Sequence, residues 1–173
     1  MSAEPLPKVF ISRTTAGLAS LAEKVSAVLS ERGFEIIHQP DFGVEWRKIR
    51  HMLMEKVRDA DVVLCLVGPA YGFAPRTTIP EFRHPDTGRE EFSYTQLEYL
   101  IARRLNKPVV SILVPDALCT FARPEDRGTP EQQQLQSDFI RDVIKKDEHV
   151  YHEFSGEADL LGAYLLARAG YDL

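Results

Sequence analysis

Short apolar runs alternate along this chain with stretches in which apolar residues recur every three or four positions. That alternation predicts repeated strand, helix, strand units around a parallel sheet. Lys8 to Ser12 reads as a first strand, and Leu18, Leu21, Ala22, Val25, Val28 and Leu29 form a helical stripe that stops at Gly33. Phe34 to His38 reads as a second strand. After a loop from Gln39 to Glu45, the residues Trp46, Ile49, Leu53, Val57 and Ala60 share one side of a helix. Asp61 then introduces Val62 to Val67, apolar at every position and so expected to be a central strand covered on both faces. A long connection, Gly68 to Phe92, leads to Ser93 and Gln96, whose spacing is that of a capping box. The helix they open carries Leu97, Leu100, Ile101 and Leu105, ends near Asn106 as its C-terminal cap, and hands over to a fourth strand, Pro108 to Val114. Thr129 and Pro130 supply the N-cap and first residue of a further helix, His149 to Phe154 a fifth strand, and Ser155 the start of a last helix.

The order of these elements predicts an α/β, flavodoxin-like, three-layer fold with a five-stranded parallel sheet in the order 2-1-3-4-5 and helices on both faces. A length of 173 residues with 44% hydrophobic content suits one domain spanning residues 1–173. The formal charge of -5, with Lys and Arg scattered and not interleaved with aromatics, argues against nucleic-acid and membrane binding. Cys65 and Cys119 lie far apart, outside any CxxC pattern, which fits a reduced cytoplasmic protein. No metal site is expected: His149 and His152, three apart in a strand, point to opposite faces. No apolar segment is long enough to span a bilayer, and Met1 to Pro7 lacks the hydrophobic region of a signal peptide.

In a sheet of this order, ligands bind beyond the carboxyl ends of strands one and three, where the winding reverses. Two loops meet there. Ser12, Arg13, Thr14, Thr15, Ala16 and Gly17 offer hydroxyls, a guanidinium and helix-terminal N–H groups to a phosphate, although capping by Thr14 or Thr15 is an equal reading. Gly68 to Phe92 exceeds the usual length of an unstructured connection in a compact domain, itself a mark of function or disorder. Its arginines, Arg76, Arg83 and Arg89, alternate with acids and read as a solvated loop. In the helix that follows, Glu98 sits in the second turn beside the apolar stripe, half in and half out of the core, a candidate for chemistry.

Val9-Phe10-Ile11-Ser12, the strand after Asp61 ending in Gly68-Pro69-Ala70-Tyr71-Gly72, the segment Ser93-Tyr94-Thr95-Gln96-Leu97-Glu98-Tyr99 and the exit Asn106-Lys107-Pro108-Val109 occur in the order found in the Toll/interleukin-1 receptor (TIR) superfamily. Through Val114 the chain resembles the TIR-like domains found at the front of multidomain proteins. Thr95 and Gln96 stand where better-known members carry a Trp-Cys pair before the glutamate. The loop before Trp46 falls where TIR domains carry the BB loop, which covers the nucleotide pocket and joins neighbouring domains.

The resemblance implies cleavage of the nicotinamide-ribose bond of NAD, with Glu98 on the catalytic position and NAD as substrate, not cofactor. It places Ser12, Arg13 and Thr14 at the diphosphate or adenosine side, Phe42 and Trp46 as apolar walls, Tyr71 at the mouth and Ser93 near the ribose. Trp46 fits the core equally well, and Ser93 caps its helix in either case. The implied setting is self-association through TIR-like surfaces in a defence or cell-death pathway such as antiviral immunity, with further domains possible beyond Leu173. Two alternatives stay open: a nucleoside deoxyribosyltransferase-like enzyme using a covalent glutamate, and a non-catalytic TIR-like adaptor.

Overall fold

A computed structural model describes residues 5–39, 45–146 and 150–172. Strands β1 (Lys8–Arg13), β2 (Glu35–Ile37), β3 (Val62–Val67), β4 (Val109–Leu113) and β5 (Tyr151–Glu153) alternate with helices α1 (Thr15–Glu31), α2 (Trp46–Asp59), α3 (Tyr94–Arg104), α4 (Pro130–Phe139) and α5 (Leu160–Tyr171). All neighbouring strands are parallel, in the order β2-β1-β3-β4-β5. The order reverses between β1 and β3, whose pairing runs from Val9 opposite Val62 to Arg13 opposite Leu66.

Because side chains alternate across a strand, each strand feeds two cores. Val9, Ile11, Leu64, Leu66, Val110 and Ile112 pack under α1 and α5 with Leu18, Val25, Leu29, Ala163 and Ala167. Phe10, Val63, Val67, Val109 and Leu113 pack under the other helices with Ile49, Leu53, Val57, Leu97, Ile101 and Phe139. The expected central strand is β3, buried at all six positions. On the α3 side of the sheet, Ser12, Cys65 and Ser111 lie side by side across β1, β3 and β4. These small residues leave room where the larger apolar side chains of the same rows would fill it.

The ends of α3 behave as expected. Ser93 and Gln96 form the capping box, and Asn106 takes the left-handed conformation (φ +54°) as the N–H groups of Asn106 and Lys107 bond back to the carbonyls of Arg103 and Ala102. Thr129 caps α4 in the same way.

Elsewhere the structure departs from the pattern. The regular part of α1 starts near Leu18, where the stripe begins, but Ala16 and Gly17 before it are not helical and do not offer a plain helix terminus. Gly17 has φ +81°, its carbonyl accepts from the Thr120 N–H, and a Cβ there would lie 2.8 Å from the Phe121 ring. The chain after β4 therefore covers the place that hydrophobic periodicity assigned to a free helix terminus. Ser155 does not open the last helix; its N–H and hydroxyl both bond Asp159, closing a short turn, Glu157–Asp159, that precedes α5. β5 is shorter than the run His149 to Phe154, of which His149 lies outside the described residues.

Candidate active site

Glu98 is fully buried, not half exposed. It lies one turn beyond Tyr94 on α3, and the helix is pressed so closely on the sheet that its carboxylate reaches the row of small residues at the end of β1 and β3. The Ser12 hydroxyl donates to Oε2, and the Gln39 carboxamide nitrogen donates to Oε1 at 2.6 Å and to Oε2 at 2.7 Å. Burial pushes the Glu98 carboxyl up to about 8; the bonds from Ser12 and Gln39 and the positive charge of Arg13 oppose that rise. The same burial, with the nearby Glu98 charge, raises the Cys65 thiol, so Cys65 is a poor nucleophile.

The remaining residues expected at the site fall into distinct groups. Ser12 is buried and bonded to Glu98. Arg13, on the opposite side of β1, lines a cavity of about 290 Å³ with Ile11, Ala22, Glu23, Ser26, His38 and Gln39. Thr14 neither caps α1 nor faces solvent; its hydroxyl lies 3.3 Å from that of Thr95, tying β1 to the first turn of α3. Trp46 is half buried, packs against the larger core and stands 6.1 Å from the Tyr94 ring, so its core role is the visible one. Phe42 lies outside the described residues.

Tyr71 is not at a mouth, and Ser93 caps its helix as expected. Tyr71 is 3% exposed and hydrogen-bonded to Arg89, and the Ser93 hydroxyl is engaged as the α3 cap. Both belong to a buried strap. Arg89 donates to Gln96 Oε1 and to the carbonyls of Glu91 and Leu135, Gln96 donates to Gln136, and Gln136 donates to the Gly68 carbonyl. The long connection is thus packed at Ile79 and Phe92 and through the half-buried Arg89, while most of residues 73–91, Arg76 and Arg83 among them, are exposed as expected. Its alternating charges concealed the part played by Arg89, because one partner of Arg89, the Leu135 carbonyl, comes from α4, 46 residues away.

Sequence reasoning passed over Gln39. The resemblance marked the loop as important, as the counterpart of the BB loop, but nothing local distinguishes this glutamine; its role exists only through Glu98. Phe73 was also missed: its carbonyl accepts from the Tyr94 N–H at the start of α3, and its ring is exposed. Among the described residues, no group of three or more His, Cys, Asp or Glu is placed to hold a metal ion. No helix there is long and apolar enough to cross a membrane.

A parallel doubly wound sheet with a buried carboxylate at its switch point defines the class. The chain belongs to the family described as a domain of unknown function, DUF4062, whose model matches residues 8–164. No curated protein matches it. Among solved structures it is similar to translation elongation factor SelB of Methanococcus maripaludis in its apo form, at 12% identity over 96% of this chain and 34% of that chain, with a TM-score of 0.50. It therefore spans about a third of the elongation factor, and at this identity the likeness is one of fold. Looser superpositions relate it to the CMP N-glycosidase BcmB of Clostridium botulinum (14% identity, 91% of this chain and 98% of that chain, TM-score 0.47) and to the TIR domains of an activated resistosome (11% identity, 96% and 84%, TM-score 0.42). Neither of these two bears on function.

Proposed function

We propose that this domain cleaves the N-glycosidic bond between nicotinamide and ribose in NAD, with Glu98 as the catalytic carboxylate. The observation that carries the reading is a fully buried Glu98, held by Ser12 and Gln39 at the β1/β3 switch point, whose ionisation burial opposes. Such a group is best matched by a substrate that brings its own positive charge, since a nearby cation favours the carboxylate form and offsets its desolvation. The nicotinamide ring of NAD is that cation. A neutral deoxynucleoside offers no such compensation, which ranks the deoxyribosyltransferase reading second.

The chemistry needs one carboxylate. The bond from ribose C1′ to the ring nitrogen breaks with its electron pair passing to nicotinamide, which leaves neutral and needs no general acid. Positive charge then develops on the ribosyl carbon and ring oxygen, where Glu98 stabilises it electrostatically. Water adds to C1′ and gives up a proton to Glu98 or to solvent, yielding ADP-ribose; attack by the adenine ring of the same molecule would give a cyclic product instead. Ser12 keeps one carboxylate oxygen oriented throughout. The TIR resemblance through Val114 supports NAD as the particular substrate and self-association as its setting.

The test is to incubate the protein with NAD and, separately, with deoxynucleosides, and to assay free nicotinamide and free base. Nicotinamide release from NAD is expected. Release of base from deoxynucleosides alone would replace this reading with the second, and no release from either at high local protein concentration would favour an adaptor.

A further inference from the structure

Of the three groups joined at Glu98, Glu98 and Ser12 are fully buried, whereas Gln39 is partly exposed. Of the two hydrogen-bond partners of the carboxylate, Gln39 is thus the one that solvent touches. This residue lies beyond the last paired residue of β2, Ile37, and the carbonyl of the preceding His38 accepts from Lys56 Nζ of α2 at 3.0 Å. The backbone is thus tethered one residue before Gln39, and its side chain can swing without disturbing the sheet. Its contact with Glu98 is a three-centre one: the carboxamide nitrogen lies 2.6 Å from Oε1 and 2.7 Å from Oε2, so one N–H is shared between the two oxygens while the other points away from them.

Resting on the NAD reading above, we propose that Gln39 is a positioning residue that stands in for the ribose hydroxyls of the substrate, holding both oxygens of Glu98 until a ribosyl ligand displaces it. A ribose 2′,3′-diol carries two donors on adjacent carbons and can give one to each oxygen. The exchange strengthens the hydrogen bonding of the carboxylate, because one shared N–H leaves as two O–H donors arrive and Ser12 stays. A deoxyribose offers a single donor and gains nothing by the exchange, so the plug favours ribosyl over deoxyribosyl ligands. The swung-out carboxamide has a place to go, since Gln39 also lines the cavity beside Arg13 and Ser26.

The experiment compares wild type, Gln39→Ala and Gln39→Asn in steady-state nicotinamide release from NAD, with thermal midpoints measured alongside. The shorter Asn carboxamide retracts from Glu98 yet keeps the position polar, so it gives the same reading should the Ala variant fail to fold. Removing an internal competitor of ordinary hydrogen-bond strength lowers KM on the order of fivefold. The change sits in KM and not in kcat, because Gln39 leaves before the bond breaks. An unchanged or higher KM in a folded variant of an active enzyme overturns the displacement role. Absence of nicotinamide release from all three proteins overturns the NAD reading itself, and this inference with it.

Discussion

Ser12 and Glu98, 86 residues apart in the chain, are joined by a hydrogen bond inside the protein. One is the fifth residue of the first strand and the other is in the second turn of the helix after the third, so the bond exists only because β1 and β3 are neighbours in the sheet. It places a carboxyl group where the doubly wound fold binds ligands, with burial opposing its charge.

Glu98→Gln is expected to abolish nicotinamide release, because an amide cannot stabilise the ribosyl cation. Since the carboxylate is buried and bonded, the substitution also has a structural cost. Placing an amide NH₂ against the Gln39 and Ser12 donors costs about 1–2 kcal/mol, and Glu98→Ala costs more because a cavity is added. Thermal melts and circular dichroism read the stability, and product assay reads the chemistry. Near wild-type turnover by a folded Glu98→Gln variant would end the catalytic assignment.

Stability should decline with pH through Glu98. The carboxyl is raised to about 8 from an ordinary value of 4.5, so the folded state holds the proton more tightly than the unfolded state. The contribution is fully present below pH 4.5 and is lost as pH rises through 8, with a slope of up to about 1.4 kcal/mol per pH unit in that window. Urea unfolding of wild type and Glu98→Gln across this range cancels the other titrating groups. The stability of wild type relative to the Glu98→Gln variant is expected to fall as pH rises, and a constant difference would show that Glu98 does not titrate there.

Gly72→Ala should loosen the site from outside it. Gly72 has φ +78°, and a Cβ there would lie 2.7 Å from Thr14 Cγ2, so the added methyl is both strained and in collision. A loss of about 1–3 kcal/mol is expected, read as a lower urea midpoint. Because Thr14 links β1 to Thr95 on α3, catalytic efficiency should fall further than the loss of folded protein explains.

Specific activity is expected to rise with protein concentration. Gln39 opens the segment that leads to α2, and a neighbouring domain that engages this segment would bias Gln39 away from Glu98. Activity measured over a dilution series, and again with the domain crowded on a surface, checks this. Full activity in a demonstrated monomer would place the whole site within one chain.

The alternation of apolar runs and helical stripes was sufficient for the five strands and the capped ends of α3 and α4, because burial periodicity and capping are local consequences of residue type, and the rule for doubly wound sheets then supplied the strand order. The same local signals placed Glu98 near the switch point, yet they made it half exposed and Arg89 a solvated charge, and the family resemblance put the buried Tyr71 at a mouth. Only the tertiary structure decided otherwise. How deeply a helix residue sinks depends on the size of what faces it, here Ser12, Cys65 and Ser111 from three separate strands. Whether Arg89 is a free surface charge or a half-buried strut depends on Gln96 and the Leu135 carbonyl. Gln39 has no meaning in its own neighbourhood; the fold gives it one by setting it between solvent and a carboxylate 59 residues further along the chain.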